Sequence, residues 1–308
     1  MKSTVSIITV NYNGLFMTME LLKSLDRLGL QNLEIIVVDN ASNFNPEAEI
    51  NCQFPDVKVI VSEENLGFAG GNNLGIEAAT GDYIFFLNND TELSTDIITP
   101  MVELMSISHE IGVLCPQINY FDEPSRIQYA GFTEINPITG RNNQLSQALE
   151  TIPYTTAYPH GAAMMVRRST INEVGPMPED YFLYYEELDW GVKIKTAGYS
   201  IVVDPCCVVY HKESASVGQE SPMKTFYHTR NRLLFMRRNV TWLSLVIFMI
   251  YFFLLATPKA LIGFLISREW NHIRAITSGL WLVQLPHFDK SAQDVPHPIP
   301  TPILSPVS

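Results

Sequence analysis

Four short apolar runs near the start of the chain each have strand length, and three of them end on a polar cluster. No other feature constrains the fold as strongly. Residues 5–10, 34–38, 57–61 and 83–87 are rich in Val, Ile and Phe and read as buried strands. Residues 15–28 and 69–79 read as helices, stopped at Gly29 and at Thr80-Gly81. Strands alternating with helices build βαβ units, so an α/β fold with a mostly parallel sheet is expected. Such sheets bind ligands beyond the carboxyl ends of their strands. Here those ends lead into Asn11-Tyr12-Asn13, Asp39-Asn40-Ala41-Ser42 and Asn88-Asn89-Asp90, which should meet along one edge.

The middle of the chain, 112–161, is less regular and reads as strands and loops. Residues 161–166 form a small-residue strand, 181–196 a helix stopped by Gly198, and 201–203 and 208–210 two short strands. A basic helix at 223–239 carries Lys224, Arg230, Arg232, Arg237 and Arg238. An uncharged apolar stretch of 16 residues follows at 242–257, then Pro258-Lys259 and a second apolar run at 260–266. A bilayer span needs about 20 residues. A short span or broken hairpin, an interfacial helix and a core or dimer face therefore remain open, with membrane contact favoured. The expected organisation is one large domain at 1–220, with a division near 110. A basic and apolar helical extension occupies 221–290, and a Pro-rich, disordered tail 291–308.

Charge is distributed unevenly. Residues 1–199 carry 10 basic and 26 acidic side chains, whereas 200–308 carry 10 and 6. An acidic body repels nucleic acid. A small basic excess beside an apolar run suits an anionic membrane surface. Met1-Lys2-Ser3-Thr4 leads into an apolar run of only six residues, so no secretory signal is read and a cytoplasmic setting is expected.

Several residues could carry chemistry. Asp39, at a strand end, could accept the imide N–H of a uracil or thymine ring, or simply form a turn. In the segment 65–73, Gly67, Gly70 and Gly71 would let backbone approach a ligand at a helix N-terminus, or only make a tight loop. The segment matches neither Gly-x-x-x-x-Gly-Lys-Ser/Thr nor Gly-x-Gly-x-x-Gly. Asp90 could hold a divalent cation on a diphosphate, or cap a helix. Glu186, Glu187 and Asp189 fall within four positions under aromatic cover, where carboxylate pKa values rise toward those of a general base. His211, at a strand end, is a metal or phosphate ligand only in company.

Taken in order, Thr9-Val10-Asn11-Tyr12-Asn13, Val37 through Ser42, Asn65 through Asn73, Leu87-Asn88-Asn89-Asp90, Gly161 through Arg168, Phe182 through Trp190 and Tyr210-His211 resemble one family. It is the inverting family 2 glycosyltransferases, in their bacterial rhamnosyltransferase-like subset. The resemblance implies a GT-A fold: a Rossmann-like, mixed but mostly parallel sheet flanked by helices, with a C-terminal membrane-associating or dimerising extension. It implies that Asp39, with Thr9, Asn11 and Tyr12, binds the nucleobase. Asn65, Gly67, Gly70, Gly71, Asn72, Asn88 and Asn89 would contact the nucleotide sugar. Asp90 and His211 would hold Mg²⁺ or Mn²⁺, and Glu187, with Glu186 and Asp189, would supply the base. Gly161, Ala162, Tyr185 and Trp190 would face the acceptor. Two departures stand out: Asn88-Asn89-Asp90 keeps one acid of the usual Asp-x-Asp, and Glu187 replaces the usual Asp of the base motif.

The implied donor is dTDP-rhamnose, with UDP-galactofuranose or another UDP-sugar as the alternative. The implied acceptor is a lipid-linked or cell-surface glycan at the cytoplasmic face of a bacterial inner membrane, and a homodimer is compatible. A nucleotidyltransferase would need a basic, Gly-rich signature after the first strand, where Asn11-Tyr12-Asn13-Gly14 stands. A processive synthase would need Gln-x-x-Arg-Trp, which is absent. A non-catalytic nucleotide-sugar-binding scaffold is opposed by the intact acid cluster.

Overall fold

A computed structural model describes residues 4–212 and 221–283. The tail expected to be disordered at 291–308 lies outside the described residues. The four expected strands form as β1 (Val5–Asn11), β2 (Leu33–Asp39), β3 (Lys58–Val61) and β4 (Tyr83–Leu87). Helices α1 (Leu15–Asp26), α2 (Glu47–Gln53) and α3 (Gly67–Ala78) connect them, and all four strands pair in parallel. The register sets Asn11 beside Asp39, so the two polar ends meet as expected. Helix α2 escaped the sequence reading because it buries only Ile50 and therefore shows no apolar period.

The remaining elements are β5 (Thr91–Glu92), α4 (Ile98–Ile107), β6 (Ile111–Tyr120), β7 (Ile127–Tyr129), β8 (Tyr154–Thr155), β9 (Ala163–Arg167), α5 (Arg168–Val174), α6 (Glu186–Thr196) and β10 (Ser200–His211). The sheet runs β3-β2-β1-β4-β9-β6-β10-β5, with β7 beside β6 and β8 beside β10. Strand β9 is antiparallel to β4 and β6, and β10 is parallel to β6, so the sheet is mixed. The two short runs expected at 201–203 and 208–210 are one strand with a bulge between Asp204 and Val208. Pro205 has no N–H for the ladder, and the Asp204 carboxylate instead accepts from the Cys206 N–H at 2.9 Å.

Ile7, Ile8, Phe85, Phe86, Met164, Met165 and Leu114 form the centre of the core. Trp190 is buried with them: its indole N–H donates to Gly175 O at 2.9 Å and its ring meets Phe86 edge-on at 5.9 Å. Expected at the acceptor, Trp190 is instead a core residue with no surface to offer one. Arg167 and Arg168 also turn inward. The Arg167 guanidinium donates to Met105 O and Ser108 O at the end of α4, and Arg168 to Ile76 O and Ala79 O at the end of α3. Both satisfy carbonyls that a helix C-terminus leaves unpaired.

The basic helix forms as α7 (Pro222–Asn239), with Ser221 accepting from the Lys224 N–H and Pro222 in its first turn. Two of its five charges turn inward, Arg230 and Arg232, while Arg238 pairs with Asp180 at 2.5 Å and Arg237 is exposed. The apolar runs on either side of Pro258 also join into one helix, Trp242–Ile266, of 25 residues and mean hydropathy 2.2. A π-helical turn at Phe252–Ala256 precedes Pro258 and opens the hydrogen-bond ladder where the ring would clash. The last helix among the described residues, Trp270–Val283, packs on α7, burying Ala275 and Ile276.

Candidate active site

The carboxyl edge of the sheet carries a hydrogen-bonded relay. Asn89 donates to Thr18 Oγ1 (3.1 Å), Thr18 to Asn11 Oδ1 (2.9 Å), and Asn11 Nδ2 to Asp39 Oδ1 (2.6 Å). Asp39 Oδ2 accepts from the Ser42 N–H at 3.1 Å, so both carboxylate oxygens are oriented and each keeps acceptor capacity. Tyr12 stands beside this relay with its side chain 49% exposed, free to stack on a planar ring. Thr9 is buried with its hydroxyl unpaired. Asn88 is tied through its backbone, its N–H donating to Ala162 O at 2.9 Å, while its half-buried side chain makes no internal bond.

The glycines of the α3 segment have a different cause from the expected close approach of a ligand. A Cβ on Gly67, at φ +71°, would lie 2.2 Å from Phe182 O. One on Gly70 would meet Leu66 Cβ at 2.6 Å, and one on Gly71 the Val10 methyls at 3.0 and 3.1 Å. Two N–H groups at the start of α3 are also engaged, Gly67 with Asn65 Oδ1 (2.9 Å) and Phe68 with Phe182 O (2.7 Å). Asn72 closes onto its own helix at Phe68 O. Asn40, which the sequence reading did not select, holds the whole turn. Its amide donates to Asn65 Oδ1 and Gly67 O and accepts from the Leu66 N–H, all at 2.9–3.0 Å.

Phe182, bonded to the glycine turn, lies in the loop that leads to the acids. Phe182, Tyr184 and Tyr185 all have left-handed backbone, φ +63°, +70° and +78°. For non-glycine residues this is strain that the surroundings must hold. They are held from α7. Fully buried Asn231 donates to Tyr181 O, Leu183 O and Tyr184 O at 3.0, 2.8 and 2.8 Å, and Arg230 to Tyr181 O and Asp180 O. The loop ends at the first turn of α6, where Glu186 and Glu187 stand. Burial, then the Glu187 charge, pushes Glu186 well above the carboxylate range. Burial pushes Glu187 up to about 7 against the opposing backbone N–H groups of α6, and its Oε2 has no partner. Asp189 turns to the extension instead, accepting from Asn239 Nδ2 at 2.5 Å with Arg238 at 3.8 Å.

Asp90 and His211 come together through pairing of β5 with β10, which sets Thr91 opposite His211, and through the Lys212 N–H bond to Asp90 O. His211 Nε2 lies 3.2 Å from Asp90 Oδ1, yet that oxygen has no hydrogen-bond partner. His211 Nδ1 is 2.8 Å from Gln128 Oε1, an acceptor, so Nδ1 carries hydrogen and Nε2 presents its lone pair in the neutral ring. A carboxylate oxygen facing an imidazole lone pair fits a divalent cation. No group of three His, Cys, Asp or Glu stands ready for a metal among the described residues, so further ligands would come from substrate or water.

On the facing side, Gly161 is half-buried and Ala162 buried, its N–H bonded to His160 Nδ1 at 3.1 Å. His160 was also missed. It stacks on Phe132, and burial followed by the nearby His211 pushes its imidazole down to about 3. Tyr185 is nine-tenths buried, its hydroxyl donating to Gly140 O at 3.4 Å, so it forms a wall rather than an open surface.

A mixed α/β sheet with this carboxyl-edge site defines a GT-A glycosyltransferase. The glycosyl transferase family 2 model matches residues 6–175, more than half of the chain, and the chain belongs to that family. It is 24% identical over 271 residues to the N-acetylglucosaminyl-diphospho-decaprenol L-rhamnosyltransferase of Mycobacterium tuberculosis, covering 77% of this chain and 85% of that one. It is 23% identical to the dTDP-rhamnosyl transferase RfbF of Shigella flexneri, covering 91% and 98%. The mannosyltransferase PcManGT of Pyrobaculum calidifontis, solved with GDP-Man and Mn²⁺, shares the fold at a TM-score of 0.58 and 16% identity, covering 91% of this chain and 88% of that one.

Proposed function

We propose that this glycosyltransferase moves rhamnose from dTDP-rhamnose to a hydroxyl of a lipid-linked or surface-glycan acceptor, with inversion. Glu187 carries the reading: a carboxyl that burial pushes up to about 7, in the first turn of α6 just after the loop bonded to the glycine turn of α3, with one oxygen unpaired. Its carboxylate takes the proton of the acceptor hydroxyl as that oxygen attacks the sugar anomeric carbon, and the nucleoside diphosphate leaves from the opposite face. Tyr12 stacks on the base while Asp39 accepts its imide N–H. Held by Asp90, His211 and the donor phosphates, Mg²⁺ or Mn²⁺ would offset the negative charge on the leaving diphosphate.

The names of the two rhamnosyltransferase relatives support the donor, and the decaprenol relative supports a lipid-linked acceptor. The helix Trp242–Ile266 supports contact with the cytoplasmic face of a bacterial inner membrane. Only 17% of its apolar window is buried, and Trp242, Leu254, Leu255 and Ile266 are exposed. A thermal-shift screen of dTDP- and UDP-sugars with Mg²⁺ tests the donor. dTDP-rhamnose should raise the melting temperature most, through preferential binding to the folded state. A larger shift with a UDP-sugar would replace that donor, and no shift with any nucleotide sugar would sink the reading.

A further inference from the structure

Helix α7 carries Lys224, His228 and Arg232 four residues apart, which places them in one stripe. Arg141 joins them from the turn after Gly140. Arg232 fixes that turn by donating to Thr139 O, and it lies 5.0 Å over the Phe252 ring and 5.7 Å over that of Phe248. Its Nε is buried without a partner. His228 stacks on Tyr184 at 4.6 Å, two residues before Glu186, and meets Tyr185 edge-on. The four groups are within electrostatic range: desolvation, then Lys224, Arg141 and Arg232, opposes protonation of His228. Among the described residues, none of the four has a carboxylate partner. Arg141, Lys224 and Arg232 thus act on one spot, at His228, with no carboxylate to neutralise them, and an anion bound there would be favoured.

We infer that Arg141, Lys224, His228 and Arg232 bind the diphosphate of a lipid-linked acceptor, whose hydrocarbon chain runs along the exposed apolar face of the helix Trp242–Ile266. Two features choose this occupant over the donor. The cluster adjoins the loop that ends at the base, and the donor diphosphate is already placed at Asp90 and His211. Phe248 and Phe252, under the Arg232 guanidinium, belong to the same helix that exposes Ile247, Ile250, Leu254 and Leu255. The charged cluster therefore packs on the same helix that carries the exposed apolar face, which suits a prenyl diphosphate. The inference rests on the glycosyl-transfer reading.

Titrating the full chain in detergent with farnesyl diphosphate, farnesol, inorganic pyrophosphate and dTDP or UDP tests it. Farnesyl diphosphate should bind more tightly than pyrophosphate or farnesol. Arg141→Ala and the pair Arg141→Ala/Lys224→Ala should weaken it by about tenfold or more, the scale of a lost charged hydrogen bond. Nucleotide affinity should not change. Arg141 is exposed, so its replacement leaves the fold intact. Undiminished binding by the variants, no binding by wild type, or pyrophosphate bound as tightly as farnesyl diphosphate would each overturn the inference. So would a parallel loss of nucleotide affinity, which would assign the cluster to the donor. A wild-type chain that binds farnesyl diphosphate but no nucleotide would instead overturn the glycosyl-transfer reading, and the inference with it.

Discussion

Replacing Asn231 by Leu tests how the active-site loop is held. The side chain is fully buried, and its single amide nitrogen serves three carbonyls, at Tyr181, Leu183 and Tyr184. That nitrogen has two hydrogens, so the three contacts amount to about two full hydrogen bonds. Leucine keeps most of the volume and removes the donor from the Leu183 and Tyr184 carbonyls, while Tyr181 O keeps Arg230 and the Leu183 N–H. A net hydrogen bond is worth about 1 kcal/mol and an unsatisfied buried polar group costs about 1–3 kcal/mol, so about 2–4 kcal/mol of stability should go. In a domain of this size that is a fall of about 5–15 °C in melting temperature. The loop also stores strain at Phe182, Tyr184 and Tyr185, which it would release by leaving the left-handed region. Glu187 would move with it, and a shift near 1 Å lowers turnover by about 100-fold. Differential scanning fluorimetry and steady-state transfer kinetics report the two effects. An unchanged melting temperature would refute the hydrogen-bond account. A lowered melting temperature with wild-type kcat would refute the coupling between α7 and the base.

Other expectations follow from the same geometry. Glu187→Gln should lower transfer by about 10²–10⁴-fold while nucleotide affinity is kept, because only proton removal is lost. Near-wild-type turnover would remove Glu187 from the role. Since the Glu187 carboxyl is raised to about 7 and must be ionised to act, wild-type kcat should fall about tenfold per pH unit below 7 and level off above it. An acid limb centred near pH 4.5 in a pH–rate profile would contradict this. Asp90→Ala should weaken Mg²⁺-dependent nucleotide-sugar binding, and an unchanged Mg²⁺ titration would take Asp90 out of the metal site. Gly67→Ala should unfold or misplace the α3 turn, because the new Cβ would sit 2.2 Å from Phe182 O at a φ of +71°. Wild-type circular dichroism and melting would rule that out. Leu254→Glu with Leu255→Glu should release the chain from anionic vesicles in a flotation assay, since both side chains are exposed on the apolar helix.

Much of the carboxyl edge was legible because its residues follow directly on strands with strong local signals. Asn11, Asp39 and Asp90 sit where alternating strands and helices put them. The chemistry around them was less legible. The glycines at 67, 70 and 71 look alike in sequence whether a ligand or the protein itself fills the space beside them. In the fold it is Phe182, Leu66 and Val10 that do. Trp190 follows the acids closely in sequence, yet helical geometry turns it into the core. Arg230, Asn231 and Arg232 read simply as part of a basic helix, because no local pattern distinguishes a side chain that meets water from one that meets carbonyls 50 residues away.

The amino-acid sequence by itself determined the first four strands, the helices after the first strand and before the fourth, the acids at the strand ends and the long apolar stretch, because these depend on periodicity and turn chemistry within a few residues. Tertiary structure alone decided that Pro258 lies within one continuous helix, that Arg230 and Arg232 turn inward from the basic helix, and that Asn231 holds the loop leading to Glu186 and Glu187. Those outcomes depend on which carbonyls are left unpaired once distant segments pack, and burying such groups unpaired costs too much for the chain to leave them so.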